Sequence, residues 1–426
     1  MTVELPALPA HWGKSRVDRV ASVNARIGWK ALTAAEYQPQ GFAFLSTPNI
    51  KGREIDFDNV NYITEFRYQE SPELKLLEGD VLLAKDGNTL GIVNLVKHLP
   101  RPATVNGSIA VIRPSGIDGA FLRYVLASRV TQAAINMLKG GMGVPHLFQW
   151  DINRLPIPVP PLEEQRRIAD FLDTETARID KVSQLRDRQR KLLEARRWSS
   201  FQTELDRAQA PTFPLRRVIR SVIDGPFGSA FTSDDYVDEG AAVVRLGNIG
   251  FGEYRGGDQA RIPMTLFERF RYHEVGPGDV LIAGLGDSRN HAGRACVAPD
   301  LGAAIVKGKC FRARIEKDAA DADFIALLLS SPVGASAIEG RGSTRSMINL
   351  EIVKSALLPI PPLARQRQLV SEHRKSWLHT KATMSACDRQ LATLAERRQA
   401  LITAAVTGQF DVATASGRNV TDGVTA

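Results

Sequence analysis

The chain has 426 residues, 43% hydrophobic and 24% charged, an ordinary soluble composition too long for one average domain. Lysine and arginine outnumber acidic residues 55 to 47, giving a net charge of +8 and a pI near 9.4, a mild lean towards polyanions without any basic block. Three cysteines, Cys296, Cys310 and Cys387, stand far apart without CxxC spacing, which argues against a disulfide framework or a zinc site and fits a reducing cytoplasm.

In chain order, the start MTVELPALPAHWGKSR lacks the apolar core of a signal peptide, and no apolar run is long enough to span a bilayer. A cytoplasmic protein away from membranes is expected. The stretches FAFLSTPNI, GDVLLAKDG, NLVKHL and SIAVIRP read as short strands between turn signals. FLRYVLASRVTQAAINMLKG reads as one helix ended by Gly140. Proline fixes φ, so LPIPVPP is an extended strip that leads into the next element. From Glu163 to Glu204 there is neither glycine nor proline. That run predicts a helix of about 40 residues, roughly 60 Å long.

After the seam DRAQAPTFP the chain repeats itself. SALLPIPPLARQRQLV restates NRLPIPVPPLEEQRRI, with Pro160, Leu162, Gln165 and Arg166 meeting Pro361, Leu363, Gln366 and Arg367. PGDVLIAGLG restates EGDVLLAKDG. Gly41, Asn49 and Ile50 meet Gly240, Asn248 and Ile249, while Phe121 and Ser128 meet Phe324 and Ser331 after a small gap. The landmarks keep one order at one nearly constant offset. Their period is far longer than that of solenoid repeats, so this is a duplicated domain. FIALLLSSPVGASAIEG takes the part of the helix before Gly140, and Leu363 to Thr407 forms the second long helix, closed by Gly408.

The division is a first domain at 1–154, a proline strip and helix at 155–206, a linker at 207–214, a second domain at 215–356, a second strip and helix at 357–411, and a tail at 412–426 expected to be disordered. The fold class is α+β: two tandem mixed α/β domains, each followed by a long helix. A charged helix of that length needs a partner. Val370, Trp377, Met384 and Leu391 recur every seven residues, as do Cys387, Leu394 and Leu401, and together they form a coiled-coil seam. Ile168, Val182, Leu185 and Leu192 form a weaker one, interrupted by Glu175 and Gln189. The expected geometry is an antiparallel pair with pseudo-two-fold symmetry; the competing arrangement packs each helix on its own domain.

Catalytic constellations are missing from the sequence. GAAIVKGKC misses the phosphate-loop pattern by one residue and has Cys310 in place of the magnesium-binding hydroxyl, so it reads as a strand and turn. There is no GxSxG, HExxH or CxxC, no Asn/Asp-Pro-Pro-aromatic target-base motif, and no GxGxxG after a strand. His373 and His379 fall on different faces of a helix and read as surface residues. A binder is expected rather than a catalyst.

The stretches GDVLLAKDG, LPIPVPPLEEQRRI, DGPFGS, GDVLIAGLG and LLPIPPLARQRQL together resemble the specificity subunit of type I restriction–modification systems. The resemblance runs from Pro9 to about Asp411; Ala364-Arg365 in place of Glu163-Glu164 is a modest departure. It implies two target-recognition domains, each reading half of an asymmetric bipartite sequence in double-stranded DNA. It also implies long helices that pair and dock methylation (M) subunits, joined by restriction (R) subunits. No cofactor is implied in this chain; S-adenosylmethionine, ATP and magnesium belong to the partners. A rigid helical pair would act as a ruler, with half-sites near one DNA turn, roughly 34–36 Å.

DNA contacts are then expected in loops. After the first GDVL strand stand Lys85, Asp86, Asn88 and Thr89; after the second stand Asp287, Ser288, Arg289, Asn290 and His291. Lys51 and Arg53 face Arg245 and Asn248 in a second loop pair, and Met142 and His146 face Arg341, Thr344 and Arg345 in a third. Arginine and asparagine suit guanine and adenine edges; lysine and threonine suit phosphates or thymine methyls. For any one of these residues the competing role is a solvated side chain or a turn bond. The glycine-rich DGPFGSAF reads as a turn. Two rivals remain: a duplicated coiled-coil adaptor that binds proteins without reading DNA, and a fused enzyme, for which the chain is too short and lacks methyltransferase motifs.

Overall fold

The computed structural model describes residues 5–25, 32–140, 144–226, 230–257, 259–287, 290–338, 347–409 and 411–412. The chain divides into two compact units, Met1–Arg186 with Arg389–Ala426, and Asp187–Asp388. Each unit therefore takes one end of each long helix. The described part of the tail is Val412; residues 413–426, like residues 227–229 of the glycine-rich stretch, lie outside the described residues.

In the first unit a four-stranded antiparallel sheet runs in the order Ala21–Asn24, Ile109–Pro114, Val81–Ala84, Val93–Leu95. A three-stranded sheet places Phe42–Leu45 between antiparallel Asn61–Ile63 and parallel Ala103–Val105. Strand Val81–Ala84 is buried on both faces. Strand side chains alternate, so Val81 and Leu83 join the core under the helices while Leu82 and Ala84 join the core between the sheets. This explains the unbroken apolar run after Gly-Asp. Asp80 fixes its start by accepting from the Leu77 amide at 2.8 Å and from both ends of the Arg113 guanidinium at 2.8 Å. Gly79 has a φ of +92°, which favours glycine.

The second unit repeats the plan. Its four-stranded sheet is Ile219–Asp224, Cys310–Ile315, Val280–Ala283, Ala295–Val297; its three-stranded sheet is Ala260–Ile262, Ala241–Val244, Ala304–Val306, with the same parallel pair. Val280 and Ile282 face one core and Leu281 and Ala283 the other. Gly41 and Gly240, matched in the sequence, have φ of +145° and +146°, and a Cβ there would meet the carbonyl of Ile63 or Ile262 at 2.4 or 2.2 Å. The near-miss phosphate loop is the strand Ala304–Val306, a turn, and the start of Cys310–Ile315.

Several expectations need correction. The helix before Gly140 is two helices, Gly119–Ala127 and Arg129–Leu138. Ser128 has an extended backbone and caps the second by accepting from the Thr131 amide. Ser331 divides Ala322–Ser330 from Pro332–Ala337 in the same way. The seam before Pro214 is not wholly linker: Thr212–Pro214 pairs with Leu357–Pro359, and in the first unit Gly13–Arg16 pairs with Pro156–Val159. His373 is not a surface residue. It is 8% exposed, stacks near Trp198 and Phe201, and accepts from Arg197 Nε at 3.2 Å; His379 is exposed.

The long helices span Leu162–Arg207 and Leu363–Val406. Within the second unit Cys387 Sγ lies 3.7 Å from Gln189 Oε1, His373 meets Arg197, and Arg365 meets Glu204 at 3.0 Å. Positions rise on one helix as they fall on the other, so the pair is antiparallel. Within the first unit Arg398 pairs with Asp180 at 3.1 Å. Ile168, Leu172, Ile179, Leu401, Ile402 and Val406 enter the core of the first unit, and Phe201, Leu205 and Val370 that of the second. Helix pairing and packing on a domain thus occur together. Trp377, Met384, Leu391 and Leu394 are half-buried and Cys387 is buried. The weaker seam is corrected: Ile168 is buried, but Val182, Leu185 and Leu192 are 43%, 57% and 60% exposed.

Candidate nucleic-acid interface

The loop after Val81–Ala84 closes onto the loop before Gln149. The Leu147 amide donates to the Lys85 carbonyl at 2.9 Å, and the Gly87 amide to that of Pro145 at 2.8 Å. This backbone bridge brings Lys85 and His146, predicted from separate loops, to one carboxylate. Lys85 Nζ lies 3.3 Å from Asp86 Oδ2, and His146 Nδ1 bonds Asp86 Oδ1. Lys85 is only 6% exposed, so the expectation that it reaches DNA is corrected: its ammonium is turned inward onto Asp86. Thr89 Oγ1 donates to the Asp86 carbonyl at 3.1 Å, a turn bond, while Asn88 is exposed. His146 packs edge-on against Phe148, which stacks on exposed Trp150 at 4.1 Å.

The second unit keeps the bridge and changes its chemistry. The Ile348 amide donates to the Gly284 carbonyl at 3.0 Å, and Leu285 pairs with Met347 where Asp86 pairs with His146. Asn290 closes a turn, its amide donating to Asp287 Oδ1 at 2.9 Å. Both His291 ring nitrogens lie against carbonyls, of Ala292 at 2.8 Å and Ser330 at 3.2 Å, so the ring is occupied locally. Met142, Ser288, Arg289, Arg341, Thr344 and Arg345 lie outside the described residues.

In the remaining loop pair Lys51 and Arg53 are exposed on a cleft of about 190 Å3 shared with Lys97, Arg123, Asp173 and Asp180. Asp173 receives Lys97 Nζ at 2.5 Å and Arg123 at 2.6 Å; these bonds hold its pKa below the carboxylate range even though burial opposes them. The reading of Asn248 as a base contact is corrected. It is 3% exposed, accepts from the Arg245 amide at 2.9 Å and donates to the Arg255 carbonyl at 2.9 Å. A buried amide must be satisfied, and here it braces the loop. Arg245 itself is half-buried and lines an open groove with Arg255 and Lys307, two cations that sequence reasoning missed. Their signal lay in the repeat, at positions whose partners in the first copy carry no positive charge.

The two proline strips are fastened identically. Gln165 Oε1 accepts from the Asp118 amide at 2.8 Å and its Nε2 donates to the Pro160 carbonyl at 2.8 Å. Gln366 does the same with Asp321 at 2.8 Å and Pro361 at 2.7 Å. The acidic pair's departure has a counterpart in contacts: Glu164 receives Trp12 Nε1 at 3.2 Å, whereas Arg365 pairs with Glu204.

Comparison with known proteins accords with this duplicated frame. Residues 10–188 match the Type I restriction modification DNA specificity domain. The chain is 21% identical to the type I restriction enzyme EcoKI specificity subunit of Escherichia coli K12, over 95% of this chain and 90% of that one. It is 20% identical to the StySPI specificity subunit of Salmonella potsdam, with the same coverage. A chain solved in work on complex assembly and conformational transition of the type I R-M system shares the fold, with a TM-score of 0.61 at 19% identity, over 95% of this chain and 100% of that one. With both proline strips, both Gly-Asp strands and the tandem domains in place, this protein is similar along nearly its whole length to specificity subunits of type I restriction–modification systems, and residues 10–188 match their DNA specificity domain.

Proposed function

We propose that this chain is the DNA-recognition subunit of a type I restriction–modification complex and performs no chemistry itself. Each head reads one half of an asymmetric bipartite target in double-stranded DNA. Methylation and restriction subunits that carry S-adenosylmethionine, ATP and magnesium then act where the heads direct them. The observation that carries this reading is the pairing of one backbone frame with two side-chain sets. The same bridge holds Asp86 against His146 in one head and Leu285 against Met347 in the other. A frame kept constant while its loop chemistry changes is what two different half-sites require. A protein-binding adaptor would need no such divergence at equivalent loops, and the match to a DNA specificity domain does not favour it.

The test is a domain exchange read by methylome sequencing. Residues 1–154 are replaced by the first reader of another specificity subunit, and the chain is expressed with its methylation partner. One half of the methylated sequence should change and the other should persist. A change in both halves, or in neither, would overturn the assignment of one reader to each half.

A further inference from the structure

Hydrogen bonds align the two heads residue by residue. Asn49 accepts from the Ser46 amide at 2.8 Å and donates to the Asp56 carbonyl at 3.4 Å, as Asn248 does with Arg245 and Arg255. The Asn106 amide donates to the Leu45 carbonyl at 2.8 Å, and the Lys307 amide to that of Val244 at 2.9 Å. Ala84 bonds the Ile92 carbonyl at 2.8 Å where Ala283 bonds that of Arg294 at 2.9 Å. Ser46, Asp56, Ile92 and Asn106 of the first head thus correspond to Arg245, Arg255, Arg294 and Lys307 of the second. Three neutral residues and one carboxylate are replaced by four cations.

These cations share one place. Arg245, Arg255 and Lys307, with Gly247, Gly257 and Gly308, line an open groove of about 690 Å3, and none of its described lining residues is acidic. The glycines leave space for a bulky group to approach the backbone. Lys307 Nζ is held by a neutral partner, the Tyr236 hydroxyl at 2.6 Å, and lies over the rings of Phe231 and Tyr236 at 5.1 and 4.9 Å. Its charge is positioned without being cancelled. Beneath the loop, the buried Arg294 guanidinium donates to the carbonyls of Leu246, Ile249, Leu285 and His291 at 2.9–3.2 Å. Carbonyl dipoles satisfy its donors but leave its charge in place. The first head puts Lys51 and Arg53 on a different cleft, beside Asp173 and Asp180.

The geometry points to an anion cradle in the second head for the phosphodiester backbone of DNA, absent from the corresponding place in the first. The inference rests on the DNA-recognition reading and adds to it an unequal division of labour: the second head contributes more of the salt-dependent affinity. Each phosphate contact releases a condensed counterion, so it appears as a slope in log K against log salt.

The experiment measures binding of the chain, in complex with its methylation partner, to its own methylome-defined duplex across salt concentrations. Arg255→Gln and Lys307→Gln should each reduce the slope by about 1, and the double variant by about 2, with base preference unchanged. Lys307→Arg, which keeps the charge, should keep the slope. Wild-type binding with an unaltered slope in the double variant would overturn the cradle and leave the DNA-recognition reading intact. Relaxed preference at the second half-site with an unaltered slope would make these residues base readers, which also overturns it. Failure of the wild-type complex to bind its duplex would remove the reading on which the cradle rests.

Discussion

His373 stands on the second long helix where the first copy has Leu172, and both side chains are buried. Burial, then the neighbouring Arg197, pushes the imidazole from its ordinary 6.5 down to about 4; Glu253 opposes the shift weakly. Arg197 pays for the same burial with a pKa lowered to about 10, although its guanidinium lies 4.4 Å from the Trp198 ring and 3.8 Å from the Trp377 ring. The unfolded chain binds a proton that the folded chain refuses between pH 6.5 and about 4. The ring's contribution to stability is therefore complete above pH 6.5 and is lost as pH falls towards 4, a change on the order of 3 kcal/mol. Urea unfolding of His373→Leu should show a correspondingly shallower acid limb, with a cost of about 1–3 kcal/mol at neutral pH because Arg197 Nε loses its acceptor. An acid limb as steep as that of the unaltered protein would mean that another group governs it. Neither the burial nor the shift was legible in the sequence, where one histidine on a charged helix looks like any other. The glutamines of the proline strips were legible as a repeat, because a residue that bonds two fixed backbone atoms recurs wherever that frame recurs.

At the scale of elements, the long helices and the buried strands after each Gly-Asp were readable to within a few residues, because apolar runs and the absence of glycine and proline are local properties. FAFLSTPNI was not, since only Phe42–Leu45 is strand and Thr47–Ile50 is helix, and short strands such as Ala21–Asn24 and Asn61–Ile63 carried no such signal. The breaks at Ser128 and Ser331 were obscured by continuous apolar sequence on either side. In the first unit that break is fastened from outside: Gln399 donates to the Ala127 carbonyl at 2.8 Å, and Thr403 Oγ1 accepts from the Arg129 amide at 3.0 Å. The seam on the first long helix was misread for a related reason. A seven-residue period describes a helix facing one other helix, whereas here each helix end also faces a domain core, and the buried stripe follows both. It runs through Leu172, Ile179, Phe201 and Leu205, not through Leu185 and Leu192. Leu185→Lys should thus change unfolding stability by less than about 0.5 kcal/mol, whereas Leu172→Ala should cost about 2–5 kcal/mol. Equal losses in chemical denaturation would show that Leu185 is covered in the isolated chain.

At the scale of the whole molecule, order along the chain and membership of a folded unit part company. The first unit begins at the N-terminus, yet Leu401, Ile402, Ala405 and Val406 near the other end sit inside its core with Phe121, Leu122 and Leu172. Burying a large aliphatic side chain is worth about 1.5–3 kcal/mol, so Leu401, Ile402 and Val406 together supply about 5–9 kcal/mol, comparable with the entire stability of a domain. A chain ending at Asp388 keeps every residue of the second unit and loses this part of the first. Limited proteolysis should then cut the truncated protein within residues 17–139 at a protease concentration that leaves 215–356 intact. Hydrogen exchange should report the same asymmetry, with protection lost at Val81–Ala84 and kept at Val280–Ala283. If both strands stay protected, the C-terminal helix end is an accessory to the first core; if both lose protection together, the two units fold as one cooperative body and removing either helix end unfolds the whole chain.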